Sequence, residues 1–216
     1  MLDQALVERA LAWAEAARGR TEIAQARQRF EAATGPIDER ARDYEQRITH
    51  FLEQYLCDLD ARVLLDFASH AGELGAGARR ELAGWLRSHR SVFAFTGFDA
   101  QGGRLCDCVF GGTYRFWPSE RDLRLTPGDR FDARLVPVGE LIYLSAGRVY
   151  HPREVHEALD VLLPRLDLDS LPHAALLDGL LLMRSRFLSF ASVRPEHVYQ
   201  ARALAPVQLP LRPSTE

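Results

Sequence analysis

Apolar residues in the first part of the chain recur at steps of three and four, the period of an amphipathic helix. The positions are Leu2, Leu6, Trp13, Ala17, Ile23, Ala26, Phe30 and Ala33, then Ile37, Ala41, Tyr44, Ile48, Phe51 and Tyr55. Gly35-Pro36 interrupts the pattern, which predicts one helix over residues 2–34 and a second ending at about residue 58. Two long helices with a short link favour an antiparallel hairpin. Charged positions such as Arg42 and Arg47 are typical of a solvated face.

The same period predicts two shorter helices after the hairpin. One extends from Asp60 to Ala71 and the other covers residues 78–89, with glycines between them. Their expected buried residues are Val63, Leu64, Phe67, Leu82, Trp85 and Leu86. Residues 1–90 are therefore predicted to form a helical region, with the hairpin over residues 2–58.

The hydrophobic period becomes strand-like near Ser91. The predicted strands are residues 92–98, 104–110, 113–117, 130–137, 140–145 and 148–150. Phe131, Ala133 and Leu135 alternate with Arg130, Asp132 and Arg134, and Pro127-Gly128 has the order of a type II turn. Short strands at this spacing predict a small antiparallel SH3-like or OB-like β-barrel over residues 91–150.

Helical periodicity returns with His151-Pro152, which predicts a helix over residues 151–163 and a last helix over about 170–192. The last helix is apolar nearly all round, so we expect it in the centre of the core or against a partner chain. Residues 151–205 are predicted to pack on the rest, and residues 206–216 to form a tail. The expected class is α+β: a helical hairpin and short helices, then the small barrel, then C-terminal helices.

The composition excludes several kinds of reaction site. The chain has no lysine and no asparagine, and all 27 basic residues are arginine, a bias typical of a GC-rich bacterial genome. No P-loop lysine, Schiff-base lysine or N-glycosylation site is therefore present. A net charge of −3 also argues against a dedicated nucleic-acid binder.

The cysteine count and the N-terminus predict a cytoplasmic protein. Three cysteines cannot form a disulfide framework, and the first residues lack a basic segment before an apolar run. The longest apolar stretch, Ala174–Met183, is interrupted by Asp178 and is about half as long as a membrane span. We therefore expect no contact with a membrane.

The cysteines and histidines offer only weak candidates for metal or nucleophilic chemistry. Cys106 and Cys108 would share one face of a strand, but no second pair completes a zinc site. His151 and His156 are five residues apart, whereas zinc-protease histidines are four apart. Cys57 ends an amphipathic helix, where an inert thiol is expected.

The serines and paired acids are no stronger as catalytic candidates. They are Ser145 and Ser189, the pair Asp58 and Asp60, and the pair Asp167 and Asp169. The serines lack the Gly-x-Ser-x-Gly turn, and the acids lie at predicted helix boundaries, where they cap N-termini. We predict no catalytic residue, no metal and no cofactor, which favours a non-enzymatic protein.

The sequence offers candidate contact surfaces but no recognisable catalytic motif. This favours an interaction or regulatory module whose partner is another protein or a second copy of the chain. The candidate interaction residues are Arg79, Arg80, Arg87, Arg90, Arg115, Trp117, Leu181, Arg184, Arg186 and Phe187. One alternative is single-stranded nucleic acid stacked on the barrel, because Tyr114 to Trp117 interleave rings with a cation. A hydrolase of unfamiliar type is the other alternative.

Three segments resemble a group of uncharacterised bacterial proteins. They are Phe51–Tyr55, Phe93–Phe95 and Leu125–Val136, the last of which contains Gly-Asp-x-x-x-Ala-Arg-Leu. Those proteins have a helical N-terminus and a small β-barrel, and some end in a zinc-binding SEC-C knuckle. This chain has no terminal Cys/His cluster, so the resemblance implies the fold and no metal or partner.

Overall fold

Helices precede and follow a six-stranded antiparallel sheet in the computed structural model, which describes residues 2–59, 62–70, 72, 74–166, 168, 172–190 and 192–201. The helices are α1 (Gln4–Arg18), α2 (Arg20–Thr34), α3 (Tyr44–Gln54), α4 (Arg62–His70), α5 (Ala76–Leu86), α6 (His156–Leu162), α7 (His173–Ser189) and α8 (Pro195–Val198). The strands are β1 (His89–Asp99), β2 (Gly102–Asp107), β3 (Thr113–Phe116), β4 (Arg130–Val138), β5 (Leu141–Leu144) and β6 (Val149–His151). This arrangement confirms the predicted α+β class. The predicted tail and the candidates Asp60, Asp167 and Asp169 lie outside the described residues.

The first predicted helix is in fact two helices. Gly19 has a φ of 83°, a left-handed value that glycine adopts at no steric cost, and its N–H donates to the carbonyl of Glu15 (3.0 Å). The apolar spacing continues across this break, which is why it predicted a single helix over residues 2–34. The second helix begins at Tyr44 instead of Ile37 and continues as a π-helical turn. The simple two-helix hairpin is therefore wrong.

The sheet has the strand order β3-β2-β1-β4-β5, and β6 also pairs with β4. Every pairing is antiparallel, and the strands lie where the period of two predicted them. Trp117 follows β3 and donates its N–H to the carbonyl of Ile142 in β5 (2.7 Å). This bond links the two ends of the sheet, which is curled into a half-barrel.

The apolar interior has three parts. One lies among α1 to α5 and contains Phe30 and Trp85. A second fills the inner side of the curled sheet with Phe93 and Phe131. The third surrounds α7 near Leu180, where α6 and α8 also pack.

Helix α7 is central to the core. Its fully buried residues include Leu176, Leu177, Leu180, Leu181 and Met183, and the helix packs against α2. Two positions were expected for this helix, the centre of the core or a contact with a partner chain, and the structure shows the first. The contact surface predicted around Leu181 is therefore filled by this chain itself.

We expect Gly84→Ala to destabilise the fold, because α5 packs on β4 at a residue without a side chain. A Cβ at Gly84 would overlap the carbonyl oxygen of Pro137, and overpacking of this kind costs about 1–3 kcal/mol. The control is Gly77→Ala in the same helix, where a Cβ meets nothing within 4 Å and should stabilise by up to about 1 kcal/mol. Urea unfolding measures both free energies, and equal effects would contradict the close approach.

Candidate interaction surface

Two arginines face each other on the outer side of β2 and β3. Arg104 is the cross-strand partner of Arg115, and like charges in this position destabilise a sheet. Arg115 Nη1 donates to both Asp99 oxygens (2.7 and 2.8 Å), and Arg104 Nε lies 3.7 Å from Asp99 Oδ2. A hydrogen bond from the Gln101 N–H and these arginines lower the pKa of Asp99. Two guanidinium groups share one carboxylate, which leaves one positive charge uncompensated.

Exposed apolar side chains lie beside this arginine pair. Trp117 stands two residues after Arg115, so it points to the same side of the sheet, and 53% of its surface is exposed. Phe98, by contrast, lies on the inner side of the sheet, because its ring packs against those of Phe95 and Phe116 (4.8 and 6.3 Å). Leu141 is exposed next to the β5 carbonyl that accepts the Trp117 N–H. Exposed apolar area is thus present on the outer side of the sheet where β3 meets β5.

Leu123 projects from a firmly held turn in the connection between β3 and β4, and it is 65% exposed. The neighbouring Asp122 carboxylate is buried and accepts hydrogen bonds from Arg148 Nη1 (2.5 Å) and from the Ser119 N–H and hydroxyl (both 2.6 Å). Because these bonds order the turn before any partner binds, little entropy is lost there on binding. We define the β3 surface as the exposed residues on β3, on its neighbouring strands and on the connection that follows it: Arg104, Arg115, Trp117, Leu123 and Leu141.

The predicted arginines of the helical region are exposed but belong to another element. Arg79 and Arg80 lie on α5, and Arg87 follows it. Arg79 Nε donates to the Leu74 carbonyl (2.7 Å), and Arg87 Nε donates to the Ala83 carbonyl (3.0 Å). Of the predicted surface residues, only Arg115 and Trp117 are brought together on the β3 surface.

Three residues predicted for the interaction surface lie in the interior. Arg90, Leu181 and Arg184 are buried, so they cannot contact a second chain in this structure. Arg184 Nη2 pairs with Asp43 (2.6 Å), and its Nε donates to the carbonyl of Tyr150. Arginine spacing alone could not distinguish these internal partners from external ones.

Two of the predicted interaction residues, Arg186 and Phe187, lie near the end of α7. Arg186 is exposed, whereas Phe187 is half-buried against the core around α7. Leu188 and Phe190 are 53% and 62% exposed. This apolar end is the natural comparison for the β3 surface, because the two are similarly exposed.

A layer of paired charges lies between the sheet and the helices. Arg90 donates from Nε and Nη2 to the two oxygens of Asp132 (3.0 and 2.8 Å) and from Nη1 to Asp178 (2.8 Å). Gln54 Nε2 also donates to Asp178 (3.0 Å). Burial alone would lower the pKa of Arg90, but the two carboxylates outweigh it and raise that pKa. The layer connects β1, β4, α3 and α7.

The buried side of α3 is polar. His50 Nδ1 donates to the Gly147 carbonyl (2.7 Å), and Glu53 Oε1 accepts from the Gly147 N–H (2.8 Å). Burial lowers the pKa of His50 and raises that of Glu53. Within the described ranges, Arg47 Nη1, His50 Nε2 and Gln54 Oε1 have no hydrogen-bond partner. Arg47 is buried, so its predicted place on a solvated face is wrong: α3 is covered on more than one side.

Sequence reasoning missed this polar layer. The alternation along β4 separates Phe131, Ala133 and Leu135 from Asp132 and Arg134, but it does not show that helices cover the polar side. The available signal was an acid and an arginine on the same strand face, since each needs an opposite charge if that face is covered. The partners could not be read from the sequence, because Arg134 pairs with Asp58 of the π turn, 76 residues away.

Burial shifts the pKa values of two cysteines and of His151. Burial raises the pKa of Cys57 to about 12 and that of Cys108 to about 11, which disfavours the thiolate. Cys106 is in β2, whereas Cys108 lies in the following turn. His151 is buried with Nδ1 3.2 Å from the Tyr199 hydroxyl. Among the described residues, no group of three or more His, Cys, Asp or Glu could hold a metal ion.

Comparison with protein-family models, with curated proteins and with solved structures finds no match to this chain. In the part of the chain that the structure describes, none of the helices combines the length and apolar character needed to cross a membrane. The functional interpretation therefore depends on the geometry of the surface and of the charged layer.

We expect Arg90→Leu to cost about 3–5 kcal/mol in the free energy of unfolding, because it leaves the Asp132 and Asp178 carboxylates without their cation. The matched control is Arg115→Leu, which breaks an exposed pair with Asp99 and should leave stability nearly unchanged. Urea unfolding followed by circular dichroism measures both. Similar costs for the two variants would contradict the structural role of the layer.

Stability should fall as the pH is lowered from 7 towards 5, partly through His151. Burial, aided by Arg184 and His156, lowers its pKa to about 3, whereas the unfolded imidazole titrates near 6.5. Below that value the unfolded state binds a proton that the native state does not, so unfolding is favoured by up to about 1.4 kcal/mol per pH unit. His151→Gln should make the pH dependence of the unfolding free energy shallower. The control is His197→Gln at an exposed position, and an equal change in both would contradict the assignment.

Proposed function

We propose that this chain is a non-enzymatic interaction module that binds another protein through the β3 surface. The observation that carries the proposal is Arg104 opposite Arg115, with one shared carboxylate, beside the exposed ring of Trp117. A like-charge pair weakens the sheet, and local conflicts with stability tend to mark functional sites. Trp and Arg are also the residues that most often dominate binding energy at protein interfaces.

The distribution of side chains on the β3 surface supports a protein partner. Trp117, Leu123 and Leu141 provide exposed apolar area, and Arg104 and Arg115 provide charged groups on β2 and β3. Protein interfaces have this anatomy, with a desolvated apolar centre and polar groups around it. The fixed turn that carries Leu123 adds a preordered contact.

Single-stranded nucleic acid is the second candidate, and the strand order favours it. Five strands ordered β3-β2-β1-β4-β5, with β3 bonded to β5 through Trp117, support an OB-like barrel. OB folds bind oligonucleotides on strands 2 and 3, where Arg115 and Trp117 provide a cation and a ring. The net charge of −3 and the aliphatic side chains of Leu123 and Leu141 favour a protein over a nucleic acid.

Affinity capture with surface variants tests the proposal. The immobilised protein is incubated with nuclease-treated lysate of the source cell, and bound proteins are quantified by mass spectrometry. We expect Trp117→Ala with Leu123→Ser to retain about ten- to thirtyfold less of the partner, as for loss of a binding hot spot.

The matched control is Leu188→Ser with Phe190→Ser, which removes two equally exposed apolar side chains at the end of α7. It should retain the partner as the wild type does. Loss of the partner from the α7 variant alone would assign the interface to that helix. If nuclease treatment abolishes all specific capture and a labelled oligothymidine binds through Trp117, the nucleic-acid alternative replaces the proposal.

A further inference from the structure

We infer that the partner of the β3 surface presents an acidic side chain within an apolar segment, and that Asp99 takes the place of that side chain in the free protein. This inference rests on the proposed function and adds the chemistry of the partner. Its basis is the sharing of one carboxylate by two guanidinium groups on an exposed sheet face.

Arg104 is the less satisfied of the two arginines. Its guanidinium lies 3.7 Å from Asp99 Oδ2 and, among the described residues, donates no hydrogen bond. A guanidinium carries five donors and binds a carboxylate best through two parallel hydrogen bonds. Arg115 uses only Nη1 for Asp99, so its remaining donors are also open to an incoming acid.

Asp99 is held loosely enough to be exchanged. Its ion pair with Arg115 is solvent-exposed, and such pairs contribute little net stability. The segment that carries an incoming carboxylate can also cover Trp117, which is exposed two residues after Arg115, whereas Asp99 leaves that ring in solvent. The exchange therefore costs little and gains buried area.

The neighbouring side chains favour a peptide carboxylate over a nucleic-acid phosphate. Leu123 and Leu141 are aliphatic and present no ring on which a base could stack. Arg121 and Arg124 are exposed on the same connection as Leu123, against one exposed acid, Glu120. An acidic and apolar protein segment complements both properties, charge and hydrophobicity.

The test measures fluorescence anisotropy of three labelled probes of equal length: a peptide of alternating Glu and Leu, a peptide of alternating Gln and Leu, and an oligothymidine. We expect the Glu-Leu peptide to bind and the Gln-Leu peptide to bind more weakly. Added salt should reduce this difference in affinity. Asp99→Asn should tighten binding of the Glu-Leu peptide by about two- to fivefold, because it removes the competing carboxylate. The Asn side chain keeps an oxygen for the hydrogen bond from the Gln101 N–H, so the turn is preserved.

Asp160→Asn is the control, since it removes a carboxylate from Arg130 on a different part of the surface and should not change the affinity. Arg104→Gln should weaken binding of the Glu-Leu peptide, and in combination with Asp99→Asn it should abolish the increase in affinity that Asp99→Asn produces alone. Equal binding of both peptides, no gain with Asp99→Asn, or binding of neither peptide overturns the acidic-partner inference. The proposed function is tested separately by the Trp117-dependent capture, and preference for the oligothymidine would replace the peptide with nucleic acid.

Discussion

Arg90 makes the interaction on which the arrangement of the molecule depends. Its guanidinium is fully enclosed and binds Asp132 of β4 and Asp178 of α7 at the same time. A buried charge is tolerated when it is paired, so the burial of Arg90 depends on β4 and α7 meeting β1 at this position. Gln54 extends the same contact to α3. The sheet is thereby fixed against the helices on one side, which leaves the outer face of β2 and β3 uncovered.

The protein contains two arginine pairs of the same kind in opposite settings. Arg90 faces Arg134 across β1 and β4, and Arg104 faces Arg115 across β2 and β3. Each arginine of the inner pair has its own carboxylate partners, Asp132 and Asp178 for Arg90 and Asp58 for Arg134, whereas the outer pair shares the single carboxylate of Asp99. A buried cation needs a partner of its own, and solvent lets two exposed cations share one. The unbalanced charge is therefore found where a partner can reach it.

The periodicity of the sequence predicted most of the elements but not what covers them. The change of period near residue 91 located the strands, since alternation depends on residues close together in the chain. Gly19 was missed because the apolar spacing is the same on both sides of the break. Arg90 and Arg184 were misplaced because their carboxylate partners lie 42 or more residues away in sequence. Trp117 and Arg115 could be identified because a large ring and a cation alternate at the end of a short strand.

A surface of this kind suits recognition because its parts are ordered before contact. The turn around Leu123 is anchored by the buried Asp122, and Trp117 is tied by its backbone to β5. Binding then loses little conformational entropy, so a small apolar area can support a specific contact. The shared carboxylate of Asp99 contributes in a different way, since it keeps two like charges together in the free protein and competes for them in the complex. Stability of the free sheet and affinity for an acidic partner are thus opposed at the same two guanidinium groups.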